Sequence, residues 1–174
     1  NYNLTDVDTT SETTKESEPL TSASDLKILG FTTSTLQLGW TNGSGSNRIV
    51  VAKSGSAVSI DPTDATTYSA NADFTAGADL GSGNIVVYNG NDTTVTVTNL
   101  SSATDYYFAV YEYNGSGIST NYKIDTPAVA NRSTLDTQAT TASTGGTGSG
   151  ITTSSITISW NAGDGATHFV LVKA

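Results

Sequence analysis

Few residues of this chain could do chemistry: one histidine, His168, and four aspartates of a single segment, Asp61, Asp64, Asp73 and Asp79. There is no cysteine, so thiol nucleophiles, thiolate metal sites and disulfides are excluded. Asp61 with Asp64, or Asp73 with Asp79, could pair as acid and base. They sit among Thr, Ser and Gly, with no apolar pocket to raise a pKa. As hard oxygen donors they would suit calcium. Their spacing fits no EF-hand loop, and the alternative role is turn stabilisation, each carboxylate accepting backbone N–H groups. His168 reads as a surface residue at a strand edge. No catalytic residue is expected, and calcium is the one cofactor these residues suggest.

The elements that position these residues repeat. At an offset of 120, without a gap, Thr32-Thr33-Ser34-Thr35-Leu36-Gln37-Leu38-Gly39-Trp40 reappears as Thr152-Thr153-Ser154-Ser155-Ile156-Thr157-Ile158-Ser159-Trp160. Gly43, Gly45, Val50 and Lys53 fall on Gly163, Gly165, Val170 and Lys173, and Asn1-Tyr2-Asn3-Leu4 falls on Asn121-Tyr122-Lys123-Ile124. His168 takes the position of Arg48, so no nucleophile–His–acid set can be built inside the full repeat. The pattern predicts a tandem array: the final strand and linker of one repeat over 1–18, a complete repeat over 19–134, and a linker with the first three strands of another over 135–174. Ile156, Ile158, Trp160, Phe169 and Leu171 then lack a second sheet, which predicts that the polypeptide continues or that another chain adds strands. Continuation is the favoured expectation; an intact mass near 17.9 kDa for the natural protein would refute it.

Strand signals dominate the full repeat. Leu26 and Ile28 suggest a first strand, and Leu36, Leu38 and Trp40 alternate with Gln37 and Gly39. Arg48–Lys53, Asn84–Tyr88, Thr94–Thr98 and Asp105–Tyr111 follow, separated by Gly- and Asn-rich turns. No window carries a sustained helical stripe. The expectation is an all-β antiparallel sandwich. Residues 5–19 and 125–144 read as linker or frayed edge, and Ser143–Gly150 as flexible. Thr is abundant, at 31 of 174 residues, while charged residues make up only 13%. That uncharged polar coat suits an extracellular β-protein. The net charge of −9 argues against nucleic-acid partners, and no apolar run approaches membrane-spanning length.

The run Leu100-Ser101-Ser102-Ala103-Thr104-Asp105-Tyr106-Tyr107-Phe108-Ala109-Val110-Tyr111-Glu112-Tyr113-Asn114-Gly115 resembles the E–F corner and F strand of fibronectin type III domains. The resemblance makes Tyr106 a tyrosine-corner residue bonding to backbone near Leu100, and places Trp40 and Trp160 as strand-B tryptophans. It covers 24–134 well and 151–174 in part. The 40 residues between the C-strand and E-strand candidates exceed the family's usual length. The wording of that insert, Asp61-Pro62-Thr63-Asp64 through Asn89-Gly90, resembles a long repeat of secreted and surface proteins of Bacteroidota. Such proteins are large, repetitive and exported by the type IX route. In Bacteroidota, O-glycosylation at Asp-Thr-Thr triplets would mark Thr9 and Thr93. N-glycosylation sequons stand at Asn3, Asn42, Asn91, Asn99, Asn114 and Asn131, many of them expected by chance in such a composition.

Tyr107, Tyr111 and Tyr113 share one face of the strongest strand, opposite Tyr106, Phe108 and Val110. The tyrosine row is either a sugar-stacking platform or lies under the insert with Tyr68, Phe74 and Tyr88. No Arg-Gly-Asp tripeptide occurs, so integrin-type adhesion has no support. The expected function is a structural or adhesive repeat of a large extracellular or cell-surface protein, with neighbouring repeats or like chains of a filament as partners. The alternatives are an accessory module of a secreted polysaccharide-degrading enzyme and a carbohydrate-binding module using exposed tyrosines.

Overall fold

A computed structural model describes residues 12–173 and divides into two compact units, Asn1–Leu135 and Asp136–Ala174. In the first unit, β1 (Ser24–Phe31), β2 (Leu36–Thr41) and β5 (Thr94–Val97) form one sheet in the order β1-β2-β5. A second sheet runs β4 (Ile85–Gly90), β3 (Asn47–Ser54), β6 (Asp105–Asn114), with β7 (Asn121–Tyr122) and β8 (Ala128–Ser133) both pairing with β6. Every pairing between these strands is antiparallel. Alternation on β2 sends Leu36, Leu38 and Trp40 inward. They meet Val50 and Ala52 of β3 and Tyr106, Phe108 and Val110 of β6 in the core between the sheets. On β2, Gly39 clears room for Leu29: a Cβ there would stand 2.6 Å from Leu29 Cδ1.

The long insert adds a third layer. It covers the outer face of the second sheet, where Ile49, Val51, Val86, Ala109, Tyr111, Tyr113 and Tyr122 form a second core against Val58, Tyr68, Ala78 and Leu80. Residues 48–52 of β3 are therefore buried on both faces, which is why that strand reads as a continuous apolar run. Asn84 pins the insert: its Oδ1 accepts from Ser59 N at 3.0 Å and its amide donates to Gly81 O at 2.6 Å.

Two segments are more regular than the linker, frayed-edge and flexible readings of their sequence. Ala128–Ser133, read as part of a loose Thr-rich stretch, pairs along β6 from Ala128↔Val110 to Ser133↔Asp105. Its sequence carries little strand propensity, and the pairing with β6 supplies the order. Ser143–Gly150, read as flexible, contains β9 (Thr144–Ser149), which pairs with β10 (Thr157–Asn161). These two strands form a hairpin in the second unit. The third strand expected there is not formed: residues 168–173 lie outside any strand, and Phe169 is 85% exposed. Among the described residues nothing pairs with that stretch as β4 and β6 pair with β3.

The two hairpins share their turn atom for atom. Thr32 Oγ1 accepts from Ser34 N at 3.1 Å and Thr35 N at 3.0 Å. Thr152 Oγ1 accepts from Ser154 N at 3.2 Å and Ser155 N at 2.9 Å. Thr32 N donates to Thr35 O at 2.9 Å, and Thr152 N to Ser155 O at 2.8 Å.

Candidate functional site

Two tyrosines of the row, Tyr111 and Tyr113, are covered, while Tyr107 is half-buried. Tyr111 and Tyr113 are 2% and 9% exposed, because the insert lies over them. Their hydroxyls donate inward, Tyr111 to Asp61 Oδ1 at 2.8 Å and Tyr113 to Asn89 Oδ1 at 2.6 Å. Tyr122 joins them, its ring 5.0 Å from that of Tyr113 and its hydroxyl on Thr66 O at 3.1 Å. Burial pushes the Tyr111 phenol far above its ordinary range, reinforced by Asp61; burial does the same to Tyr122, reinforced by Tyr113. A sugar cannot stack on faces that protein already covers, so the exposed-tyrosine reading fails for this pair. Of the insert aromatics, only Tyr68 belongs to this layer. Phe74 packs on Tyr106 (5.2 Å between ring centres) and Tyr88 on Trp40 (5.4 Å), both against the core between the sheets.

The four aspartates engage four separate sets of partners. Asp61 takes the Tyr111 hydroxyl. Asp64 accepts from Tyr122 N at 2.8 Å and pairs with Lys15 at 2.8 Å. Burial opposes its ionisation, but Lys15 and the Tyr122 N–H outweigh burial and hold the carboxyl below its usual value. Asp73 caps a turn, Oδ1 accepting from Thr75 N at 2.9 Å and Thr75 Oγ1 at 2.8 Å, and from Asn99 Nδ2 at 3.1 Å. These bonds, Thr75 first, lower its pKa. Asp79 accepts from Gly81 N at 2.8 Å and Gly83 N at 3.3 Å. Among the described residues no group of three metal-ligating side chains is brought together. Of the expected calcium ligands, Asp73 and Asp79 thus hold turns, while Asp61 and Asp64 bond to residues distant in sequence. His168 is exposed in the second unit. Thr93 is exposed between β4 and β5, its carbonyl accepting from Trp40 N at 3.0 Å; Thr9 lies outside the described residues.

One groove remains on the outer sheet face, between the start of the insert and β8. Ala57, Val58 and Asp61 wall a space of about 290 Å³ over Tyr107, Val129 and Asn131. Its only titratable side chains are Asp61, Tyr107 and Tyr111. This set offers an aromatic face, an amide and a carboxylate, which can hold a small group but contain no nucleophile with its base.

The strongest polar constellation went unnoticed in the sequence. Glu112 and Arg48, 0% and 3% exposed at the side chain, face each other across β6 and β3 at 3.2 Å. Glu112 also accepts from Gly43 N at 2.9 Å and Gly45 N at 3.1 Å. Arg48 further donates to Asn91 O at 2.8 Å and Gly45 O at 2.9 Å. The available signal was a carboxylate in phase with Tyr106, Phe108 and Val110, on the face that must be core.

At the opposite end of β6 the Tyr106 hydroxyl accepts from Ser101 N at 2.9 Å, beside buried Leu100. Thr134 Oγ1 locks the corner, donating to Ser101 O at 2.6 Å and accepting from Thr104 N at 3.1 Å. This is a tyrosine corner between two antiparallel sheets. The fold is fibronectin type III-like.

No family model matches the chain, and no curated protein matches it. Among solved structures it is similar to the fibronectin type-III domain of human fibronectin type III domain containing protein 3, at 21% identity and TM-score 0.44, over 72% of this chain and 94% of that one. It is also similar to a two-domain fibronectin type-III segment from chicken tenascin, at 17% identity and TM-score 0.42, over 83% of this chain and 64% of that one. A fibronectin type III domain of human collagen XX matches at 15% identity and TM-score 0.36, over 66% of this chain and 98% of that one. No helix among the described residues is long and apolar enough to cross a membrane.

Proposed function

We propose that the chain is a non-catalytic structural segment of an extracellular or cell-surface protein, built as an array of β-sandwich units that holds other parts at a distance. The observation that carries this reading is the recurrence, 120 residues apart, of one hairpin with the same Thr-centred turn. Repetition of a unit that keeps its own core makes length rather than a site. The disposition of the polar groups supports it. Asp73 and Asp79 of the insert cap turns, Asp61 and Asp64 bond across the fold, the buried Tyr111, Tyr113 and Tyr122 donate to protein acceptors, and the buried ion pair joins two strands of one sheet. Trp160, at the position of Trp40, retains the core-forming residue of the repeat. The Thr- and Ser-rich surface suits an aqueous exterior.

Two measurements test it. The coding sequence on either side should carry further copies at the 120-residue period; a neighbouring sequence without them would sink the array. Protease shaving of intact source cells should release this segment; full retention inside the cell would refute the surface assignment.

A further inference from the structure

The segment entering the first unit lies along one end of the sandwich, bonded nearly residue by residue. Glu16 N donates to Ser119 O at 2.9 Å, and Asn121 Nδ2 to Glu16 O at 2.7 Å. Asn114 Nδ2 donates to Ser17 O at 2.8 Å, while its Oδ1 accepts from Ser46 N at 2.8 Å, tying the β2–β3 and β6–β7 loops to the segment. Lys15 pairs with Asp64, and Glu18 with Lys123 at 3.3 Å. Pro19 is buried. Thr21 and Ser44 exchange bonds, Thr21 N to Ser44 Oγ at 2.9 Å and Ser44 N to Thr21 O at 3.1 Å.

A second observation is independent of these bonds. A Cβ on Gly43 would run into the Thr21 carbonyl oxygen and the Ser22 backbone. Its φ is not in the left-handed region, so close approach rather than backbone freedom requires glycine here. The same holds 120 residues on, where a Cβ on Gly163 would run into the Thr141 carbonyl oxygen. There Asp164 stands at the position of Ser44, and its carboxylate accepts from Thr140 N at 3.0 Å, Thr141 N at 2.8 Å and Thr140 Oγ1 at 2.7 Å. Two units with different side chains hold the entering segment at the same place. Both keep glycine where it passes.

We propose that this loop end is a docking surface whose partner is the chain's own entering linker, so that each linker and the unit after it form one rigid piece. For the first unit the proposal stands on the bonds above; its extension to further units rests on the array reading. The surface built by the β2–β3 loop and Gly115–Asp125 is then already occupied, and is not a free site for another ligand.

Amide hydrogen exchange on the full chain tests this. In the parent, Glu16, Thr21, Thr140 and Thr141 should exchange at least about tenfold more slowly than unstructured amides. Gly43→Ala should abolish that protection at Glu16 and Thr21 while β6 amides stay protected. Gly163→Ala should do the same at Thr140 and Thr141. If Gly43→Ala also loses β6 protection, Ser44→Ala, an exposed change, must still speed Thr21 exchange about tenfold. Unprotected linker amides in the parent, or protection unchanged in these variants, overturns the docking surface. Protection confined to the first linker overturns its recurrence, and leaves the array reading to the neighbouring coding sequence.

Discussion

Removing the Glu112 carboxylate should be among the most damaging single side-chain truncations in the first unit. Glu112→Ala leaves the Arg48 guanidinium 3% exposed with its charge unpaired. Among the described residues the Arg48 Nε already has no partner, so the side chain enters the variant with one donor unsatisfied. The N–H groups of Gly43 and Gly45 lose their acceptor as well. Breaking one side of a buried pair costs about 3–5 kcal/mol. The two amides lie in a loop that water can reach, so they add less than their full buried penalty of about 1–3 kcal/mol each. A net loss of about 4 kcal/mol is expected, a large share of the roughly 5–15 kcal/mol that holds a domain together. Urea unfolding followed by tryptophan fluorescence should show it, and thermal unfolding should give a Tm lower by roughly 10–20 °C. Arg48→Met with Glu112→Leu should recover most of the loss, since an apolar pair leaves no stranded charge. A Glu112→Ala variant within about 1 kcal/mol of the parent would refute this account of the pair.

Tyr106→Phe removes the acceptor of Ser101 N and should cost about 1–2 kcal/mol in the same unfolding assay. In alkaline titration followed by ultraviolet absorbance, Tyr111 and Tyr122 should ionise only as the unit unfolds. Their folded pKa values are raised, so the stability they contribute is present below the ordinary phenol value near 10 and lost as pH rises above it. Asp164 behaves oppositely: the Thr140 side chain and Thr141 N–H hold its pKa down to about 2. Its hold on the linker should persist down to the ordinary carboxyl range near 4 and fail as pH drops through about 2, read from the Thr140 and Thr141 amide resonances. Acrylamide should quench two tryptophan populations, since Trp160 is 41% exposed and Trp40 only 6%; a single accessible class would contradict the difference between the units.

The sandwich was legible because its strands announce themselves. Leu36, Leu38 and Trp40 alternate, Asp105–Tyr111 is dense in aromatics, and Gly-Asn turns separate the rest. Ala128–Ser133 was not legible, because its order comes from β6 and not from its own side chains. The faces of the tyrosines followed from period two, and their cover was one of two stated alternatives. The destinations of Phe74 and Tyr88 did not follow, since a 40-residue insert can fold either way over a sheet edge. Carboxylates drew attention for their spacing, yet spacing says nothing of which backbone amide each will meet. Gly43 gave no sign of its role: a glycine kept for close approach looks, in sequence, like any turn glycine.

The layer formed by the insert changes what this unit can become in evolution. A loop that merely links two strands can shorten freely. This one lies over Ile49, Val51, Tyr111 and Tyr113, which face outward from the sheet and would be laid bare without it. Excision would expose a contiguous greasy sheet face, and with it a route to clumping. Shortening would have to wait for several of those residues to turn polar first, each change costly while the cover remains. The insert and the face beneath it hold each other in place, a ratchet that would keep the unit long in any lineage that acquired it.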